Sequence, residues 1–358
     1  MILQKRYIIP IFIPHYGCPH SCVFCNQHRI TGKITTVDAA DIQNTMDYHL
    51  PPITPDRLIE VAFYGGSFTA LPGAIQQRLL YPAKQAFREG RIHGIRVSTR
   101  PDAITEEIVQ LLSENNVTTI ELGVQSLDNA VLIAAGRGHS VRDVELAAEI
   151  LQRSNFAWGI QLMPGLPAED WYSLLLTGIR ALKLKPHFAR IYPTLVIKQT
   201  ALEVQYRQNN YMPLSLAEAI KRAAFLKVLF EQHNIKVIRT GLQATEELDQ
   251  GDTIVAGPYH PAFGELVDGF IFRQLLLRAL NHIPYYPAVT IHCHYRDESK
   301  IRGQKNSHLH QISAASNRKI KLSTSRVQLG NVVIEQQGRN YVINSLMTNA
   351  WEVFSRNF

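Results

Sequence analysis

The feature of this sequence that most constrains its fold is a regular alternation of short β-rich runs and longer amphipathic stretches, which extends from the N-terminus to about residue 195. The predicted strands are Ile8–Ile13, Leu58–Phe63, Gly94–Ser98, Thr119–Gly123, Ala157–Leu162 and Phe188–Tyr192. Strands that alternate with helices pair in parallel through right-handed crossovers. Six such units predict an α/β fold, a partial (β/α)6 TIM-like barrel, because a complete barrel needs eight.

The pattern changes after residue 195 and indicates a second domain. Helices are predicted over Leu214–Gln232 and from about Glu265 to Asn281, and alternating residues on either side of Gly338 predict a closing hairpin. At 358 residues the chain is long enough for two domains. We therefore predict a barrel domain with its extension over residues 1–248 and a smaller α+β C-terminal domain over residues 249–358.

Composition excludes several classes of protein. With 46% hydrophobic and 19% charged residues the chain can bury a sizeable core, and four cysteines are too few for a disulfide-stapled secreted scaffold. No run approaches the roughly 18 apolar residues of a membrane span. The apolar N-terminal run is interrupted by Pro10 and Pro14, so we predict a strand rather than a signal peptide. We expect a cytoplasmic protein without a membrane partner.

Three cysteines, Cys18, Cys22 and Cys25, follow the first predicted strand within eight residues. In a reducing compartment such a cluster indicates metal ligation rather than disulfides. A [4Fe–4S] cluster takes four ligands, so three thiolates leave one iron open for a reaction. Two simpler interpretations are a structural zinc site completed by a nearby histidine and three buried thiols without a metal. The candidate histidines for that zinc site are His15, His20 and His28.

The C-x₃-C-x₂-C spacing, with Phe24 before the last cysteine, resembles the radical S-adenosylmethionine (SAM) superfamily. The resemblance implies a [4Fe–4S] cluster held by Cys18, Cys22 and Cys25, with SAM chelated to the open iron. One electron from the cluster would split SAM into methionine and a 5′-deoxyadenosyl radical, which abstracts hydrogen from a substrate. It also implies that Phe24 contacts the adenine and that a reductant protein such as a flavodoxin or ferredoxin supplies the electron.

Three further motifs resemble SAM-binding segments of that superfamily. Gly65, Gly66 and Ser67 end the second predicted strand, where absent side chains let a ligand approach the backbone. The resemblance implies that this motif holds the methionine amino group, although Ser67 stands where the family has an acidic residue. A plain strand-ending turn is the simpler interpretation.

Gln125 and Arg137 follow the fourth strand and Met163 follows the fifth. An amide can hydrogen-bond a ligand hydroxyl, and a guanidinium can bind a carboxylate as a fork. By resemblance, Gln125 would contact the SAM ribose, Arg137 its carboxylate and Met163 its adenine. As simpler alternatives, Gln125 caps its loop and Arg137 is a surface charge.

The order of these motifs resembles the radical domain of the Elongator catalytic subunit, over about Ile8 to Leu248. Matching motifs include Arg100 and Tyr192, which by this resemblance would line the barrel mouth. Nothing after residue 248 resembles an acetyltransferase, so carboxymethyl transfer to tRNA is not implied. The segment Gly257–Asp268 resembles uncharacterised bacterial radical SAM proteins that are sometimes labelled coproporphyrinogen-oxidase-like.

Nearly all of the formal net charge of +7 lies between Asn281 and Gly330. Eight basic residues there face only Asp297 and Glu298, and five histidines lie in the same segment. The basic residues are Arg296, Lys300, Arg302, Lys305, Arg318, Lys319, Lys321 and Arg326. This basic stretch, residues 296–326, is either a solvated linker or a contact surface for RNA. A second zinc site around His292, Cys293 and His294 is a weaker hypothesis.

These observations favour a radical SAM enzyme whose substrate is RNA, in particular tRNA. One alternative within enzymes is a radical SAM enzyme that acts on a tetrapyrrole or another small molecule. From other classes, the chain could be a non-catalytic iron–sulfur accessory protein, or a zinc-bound RNA-binding module.

Overall fold

The computed structural model describes residues 5–13, 18, 20–26, 37–52, 54, 57–242 and 253–344. By internal contacts the chain forms two compact units. The first comprises Met1–Pro213 and Ala244–Gly257, and the second comprises Leu214–Gln243 and Pro258–Phe358. The predicted domain boundary after residue 248 lies outside the described residues and stays a prediction.

The strands, in chain order, are β1 (Lys5–Ile13), β2 (Arg57–Gly65), β3 (Gly94–Thr99), β4 (Thr119–Gln125), β5 (Ala157–Leu162), β6 (Phe188–Ile191), β7 (Val196–Ile197), β8 (Lys236–Thr240), β9 (Ile254–Ala256), β10 (Ala288–Cys293), β11 (Lys319–Thr324), β12 (Asn331–Gln336) and β13 (Arg339–Asn344). The helices are α1 (Ala39–His49), α2 (Gly73–Arg88), α3 (Glu106–Glu114), α4 (Asn129–Ala134), α5 (Val141–Gln152), α6 (Trp171–Leu184), α7 (Ala201–Arg207), α8 (Leu216–Gln232), α9 (Phe263–His282), α10 (Glu298–Arg302) and α11 (Ser307–Ser316).

In the first unit, strands β1 to β6 lie side by side in chain order, and each neighbouring pair is parallel. Helices connect the strands, as a parallel sheet requires. This architecture confirms the predicted partial (β/α)6 barrel. Six of its helices begin at a polar side chain that accepts a hydrogen bond from a backbone N–H of the first turn, which fixes where each helix starts. These caps are Asp38, Thr105, Asp128, Ser140, Asp170 and Thr200.

The two faces of this sheet differ because successive side chains of a strand point to opposite sides. On one face Val61, Val97, Ile120 and Ile160 are fully buried and form part of the core. The residues between them on the same strands include glutamates and arginines, which contact one another on the other face. The inner face of the barrel is therefore polar.

The second unit contains the predicted smaller α+β fold. β10 lies between β11, to which it is parallel, and β12, to which it is antiparallel, and β12 and β13 form the predicted hairpin. Apolar residues of α9, such as Phe272 and Leu276, share a core with Ile291 and Ile334 of this sheet. Because residues 288–324 contain β10, α10, α11 and β11, the interpretation of the basic stretch as a linker is wrong. Among the described residues, no helix is both long and apolar enough to cross a bilayer.

Candidate active site

Most of the predicted site residues lie at the carboxyl edge of the parallel sheet. The last residue of β1, Ile13, pairs with Gly65, and Gln125 at the end of β4 pairs with Leu162. The carboxyl ends of parallel strands meet at one edge, where barrels of this type place their chemistry. The glycine motif, Gln125 and Met163 therefore share this edge.

The cysteine loop is held by backbone hydrogen bonds to two helices. Val23 N–H donates to the carbonyl of Ala135 after α4 (3.1 Å), and Leu202 N–H of α7 donates to the carbonyl of Val23 (2.7 Å). Within the loop, Cys25 N–H donates to the carbonyl of Cys22 (3.1 Å). All three cysteines are partly buried and none forms a disulfide. The fold thus fixes the loop while leaving its three cysteines partly exposed.

Cys18 and Cys22 are surrounded by groups that act on their charge. Burial raises the pKa of Cys18, while a hydrogen bond from the Ser67 backbone N–H and the charges of Arg100 and Arg137 oppose that rise. The Arg137 guanidinium also donates from Nη1 to Cys22 Sγ at 3.2 Å. These donors favour thiolates, which is the form that ligates a metal.

The glycine motif lies against the end of β1. Gly65 has φ +105°, and a Cβ at this position would lie 2.8 Å from the Ile13 carbonyl oxygen. Gly66 N–H donates to that same oxygen at 2.7 Å. Ser67 is almost fully buried, and its hydroxyl oxygen lies 2.9 Å from Thr99 Oγ1 and accepts from Arg100 N–H. The Ser67 hydroxyl is therefore engaged within the protein, while its backbone N–H donates to Cys18.

Gln125 and Arg137 are buried at the end of β4. Gln125 has φ +69° at an irregularity in the β4–β5 pairing, and its Oε1 accepts from Gln161 Nε2 at 3.2 Å. Met163 N–H donates to the Gln125 carbonyl at 2.9 Å. Arg137 donates from Nη2 to the carbonyl of Gly123. Gln125, Arg137 and the cysteine loop are thus brought together.

Phe24 and Met163 belong to one apolar cluster. Both pack against the buried residues Val131, Ala135 and Leu166. The phenyl ring of Phe24 also packs against a second cluster that contains Val196, Leu202 and Tyr211. The two residues predicted to contact adenine are therefore neighbours, and their role in binding it stays a prediction.

A set of ion pairs on the inner face of the barrel was not predicted from the sequence. Arg96 is fully buried, with Nη2 at 2.6 Å from Glu60 Oε2 and Nη1 at 2.7 Å from Glu121 Oε1. Arg190 Nε lies 2.8 Å from the other oxygen of Glu121. Charged residues at alternating positions within otherwise apolar strands are the signal that would have identified this network.

Two tyrosines extend this network. Arg190 donates from Nη1 to the Tyr192 hydroxyl (2.8 Å) and from Nη2 to the Tyr64 hydroxyl (2.9 Å). Burial and the charge of Glu121 raise the pKa of Tyr64 well above its ordinary value, so its phenol stays protonated. The inner face therefore offers neutral hydrogen-bonding groups as well as paired charges.

The donor set can be tested against a metal centre. No three His, Cys, Asp or Glu side chains converge on a single-ion site within the described part of the chain. A [4Fe–4S] cluster is bound through a different iron by each thiolate, so its ligands lie farther apart than those of one ion. The cysteine loop, with N–H donors beside two of its sulfurs, fits that cluster. Of the histidines proposed for zinc, His15 and His28 lie outside the described residues, whereas His20 Nε2 lies 3.9 Å from Asp102.

The second proposed zinc site is not assembled. Cys293 is fully buried in the core of the second unit, where burial raises the pKa of its thiol to about 11. His292 Nε2 is 2.7 Å from Glu335, and His294 Nδ1 accepts from Arg296 N–H. Together with the lack of a three-ligand group among the described residues, this engagement removes the basis for the hypothesis.

Comparison with known proteins identifies two family domains in this chain. Residues 12–176 match the radical SAM superfamily, and residues 186–271 match the radical SAM C-terminal domain. Among curated relatives, a tRNA uridine(34) acetyltransferase of Methanocaldococcus jannaschii is 28% identical over 207 residues, which cover 55% of this chain and 37% of that protein. The heme chaperone HemW of Lactococcus lactis is 26% identical over 190 residues, which cover 52% of this chain and 49% of that protein. The chain thus spans less than half the length of both relatives.

A solved structure supports the fold assignment. Elp3 of Methanocaldococcus infernus superposes with a TM-score of 0.61 at 20% identity, covering 75% of this chain and 63% of that one. At that identity the likeness concerns the fold alone. Together the two matches show that the chain carries both domains of the radical SAM superfamily, whose members use a [4Fe–4S] cluster and SAM.

Proposed function

We propose that this chain reductively cleaves SAM at a [4Fe–4S] cluster held by Cys18, Cys22 and Cys25, and that the 5′-deoxyadenosyl radical abstracts hydrogen from tRNA. The observation that carries the proposal is the convergence of the cysteine loop, the glycine motif and Arg137 at one edge of the barrel. We place the reaction in the cytoplasm, which holds tRNA and keeps thiols reduced. A flavodoxin or ferredoxin would supply the electron.

Residues of this chain would hold SAM in complementary ways. Gly65 and Gly66 carry no side chains, so their backbone would be free to approach the methionine end closely. Arg137 keeps its Nε buried without a partner among the described residues, so it can receive a carboxylate. Phe24 and Met163 would supply an apolar surface for the adenine, and Gln125 would bind the ribose. When bound, the cluster supplies the electron that divides SAM into methionine and the radical.

The charges of the barrel favour a nucleotide over a tetrapyrrole. The described arginines Arg96, Arg100 and Arg190 are each already paired with a carboxylate. The carboxylates of a tetrapyrrole would need unpaired cations, whereas a nucleobase needs neutral donors and acceptors such as the hydroxyls of Tyr64 and Tyr192. The relative named heme chaperone keeps a tetrapyrrole as the second candidate.

The basic stretch supplies a second argument for RNA, although not all of it is available. Lys300 pairs with Asp268 and Asp297, and Arg302 pairs with Glu298. Arg318 is buried and donates to the carbonyls of Ile283 and Pro284 at the end of α9, so it stabilises that helix end. The exposed cations that remain are Arg296, Lys305, Lys319, Lys321 and Arg326. We propose that these five contact RNA phosphates.

Substrate choice can be tested by measuring 5′-deoxyadenosine formation under anaerobic conditions with SAM and dithionite. We expect unmodified tRNA to stimulate its formation and a porphyrinogen to leave it unchanged. Stimulation by the porphyrinogen alone would favour the tetrapyrrole alternative. A loaded cluster that never cleaves SAM would instead indicate an accessory protein. Comparison of tRNA nucleosides from cells with and without the gene would then identify the modified position.

The RNA surface can be tested by the salt dependence of tRNA binding. Each phosphate contact contributes about 1 to the slope of log K against log salt. Lys321→Gln should reduce the slope by about 1 because Lys321 is exposed on β11. Arg302→Gln removes one equal charge that already pairs with Glu298, so it should leave the slope unchanged. Equal slopes for wild type and Lys321→Gln would contradict this surface.

A further inference from the structure

Arg137 differs from Arg96, Arg100 and Arg190 in having no carboxylate partner among the described residues. Arg96, Arg100 and Arg190 each contact an aspartate or glutamate within 3 Å. Arg137 is 6% exposed, and among the described residues its side chain donates only to the Gly123 carbonyl and to Cys22 Sγ. A buried cation without a counter-ion costs several kcal/mol, on the order of the charge-burial penalty. The position is therefore built for an anion.

The fold holds Arg137 in place from both sides. Its flanking residues, Gly136 and Gly138, both adopt positive φ (+63° and +67°), and its N–H donates to the Leu132 carbonyl at 3.0 Å. The carbonyl of Arg137 accepts from Arg100 Nη2 at 2.6 Å, and Arg100 is itself fixed by a two-pronged pair with Asp102. These contacts fix the Arg137 backbone, and the side-chain hydrogen bonds to the Gly123 carbonyl and to Cys22 Sγ orient its guanidinium.

We infer that Arg137 tunes the reduction potential of the cluster through its N–H···S hydrogen bond to Cys22 and its adjacent positive charge. The inference rests on the proposed function, since it needs a cluster at these cysteines. Hydrogen bonds to ligand sulfurs and nearby charges are two of the means by which proteins set cluster potentials. Arg137 Nη1 donates to Cys22 Sγ, whereas Arg137 Nε has no partner among the described residues and can bind a ligand carboxylate. The hydrogen bond to Cys22 therefore does not compete with the binding of SAM.

The electron count defines the direction of the effect. One electron passes from a low-potential donor, of the flavodoxin or ferredoxin class, to the cluster, whose negative charge increases by one. No covalent bond breaks and no proton moves. Because the guanidinium stabilises the more negative form, its removal makes the cluster harder to reduce and moves the potential to more negative values.

The test is a redox titration of the reconstituted cluster, followed by EPR without SAM. At a fixed potential, Arg137→Gln should lower the ratio of reduced to oxidised cluster at least tenfold, which is about 59 mV for one electron. Arg137→Lys keeps the positive charge but loses the planar guanidinium, so it should lower this ratio less than Arg137→Gln does. Arg142→Gln is the matched control, because Arg142 is a nearby arginine on the exposed face of α5 with its side chain 64% exposed. It should leave the ratio unchanged.

The outcomes separate the inference from the proposed function. A wild-type protein that takes up no cluster overturns both. A loaded wild type with the same potential as Arg137→Gln overturns the inference alone. If the variants take up no cluster, the contact can be tested in the wild type. Pulsed EPR of protein labelled with ¹⁵N-arginine would measure the coupling between the reduced cluster and the arginine nitrogens. A weak coupling between the reduced cluster and an arginine nitrogen supports the contact, and its absence overturns it.

Discussion

Two groups of positively charged residues in this protein differ in how far they are buried and paired. On the inner face of the barrel, Arg96 and Arg190 are held within 3 Å of Glu60 and Glu121 and are shielded from water. In the basic stretch of the second unit, five of eight cations are exposed. The first group is a structural network with its charges paired, whereas the second is a surface whose exposed charge is available to a partner.

This difference in pairing determines which of the two groups can be recognised from the sequence. The basic stretch is visible because eight cations face two anions over a short segment. A count of charges does not reveal the ion-pair network of the barrel, because the charges of its two glutamates and two arginines sum to zero. Only the alternation of charged and apolar residues within predicted strands points to it.

The largest expected effect comes from comparing one glutamate in each group. Glu121→Gln removes a carboxylate from fully buried Arg96 and from Arg190, whose side chain is 11% exposed, so we expect the free energy of unfolding to fall by about 3–5 kcal/mol. Glu298→Gln removes a partner of Arg302, whose side chain is 38% exposed, and should change that energy by no more than about 1 kcal/mol. Urea denaturation of both variants measures the contrast. Equal losses would mean that the barrel network is not buried as described.

A second prediction concerns His139, which is buried close to the charges of Arg137 and Arg100. Burial, followed by the charges of Arg137 and Arg100, lowers the pKa of His139 to about 3. Above about pH 6.5 the imidazole is neutral whether folded or unfolded and contributes nothing to pH dependence. As the pH falls from about 6.5 towards 3, only the unfolded chain takes up the proton, so stability falls by about 1.4 kcal/mol per pH unit.

His139→Gln removes this titration. Between pH 7 and pH 5, the metal-free variant should therefore lose about 2 kcal/mol less stability than wild type. Urea midpoints at the two pH values give the comparison. An identical pH dependence would show that His139 is protonated in the folded protein at pH 5.

The smallest effect is expected at two glycines with similar backbones in the two units. Gly138 (φ +67°) and Gly338 (φ +73°) both adopt left-handed conformations, so alanine at either should cost about 1–2 kcal/mol. A Cβ at Gly138 would also lie 2.5 Å from the His20 ring of the cysteine loop, whereas nothing lies within 4 Å at Gly338. Gly138→Ala should therefore lower the iron content per chain and Gly338→Ala should not. Equal iron contents would show that the loop adapts freely.

Much of the fold was predictable because it depends on local patterns. The six predicted strands of the barrel all appear, with ends that differ by no more than three residues, and the hairpin turns at Gly338 as expected. The cysteine loop, Gly65 and Arg137 were found from spacing and order along the chain. Whether each of them binds its predicted ligand stays a prediction.

Other features depend on contacts that a linear pattern does not contain. Ser67 directs its hydroxyl to Thr99, and Arg318, counted among the surface cations, is buried against carbonyls of the α9 end. The basic stretch that contains Arg318 was expected to face solvent or RNA, whereas the tertiary fold engages Arg318 internally. The orientation of a side chain depends on register and packing, which residue identity alone does not fix.

The most direct test of the account is anaerobic reconstitution of wild type and Cys22→Ala with iron and sulfide, followed by addition of SAM and dithionite. We predict about four irons per wild-type chain and equal yields of methionine and 5′-deoxyadenosine, both lost in Cys22→Ala but retained in Cys293→Ala. A colourless wild-type protein that binds one zinc ion and releases no 5′-deoxyadenosine would contradict the account.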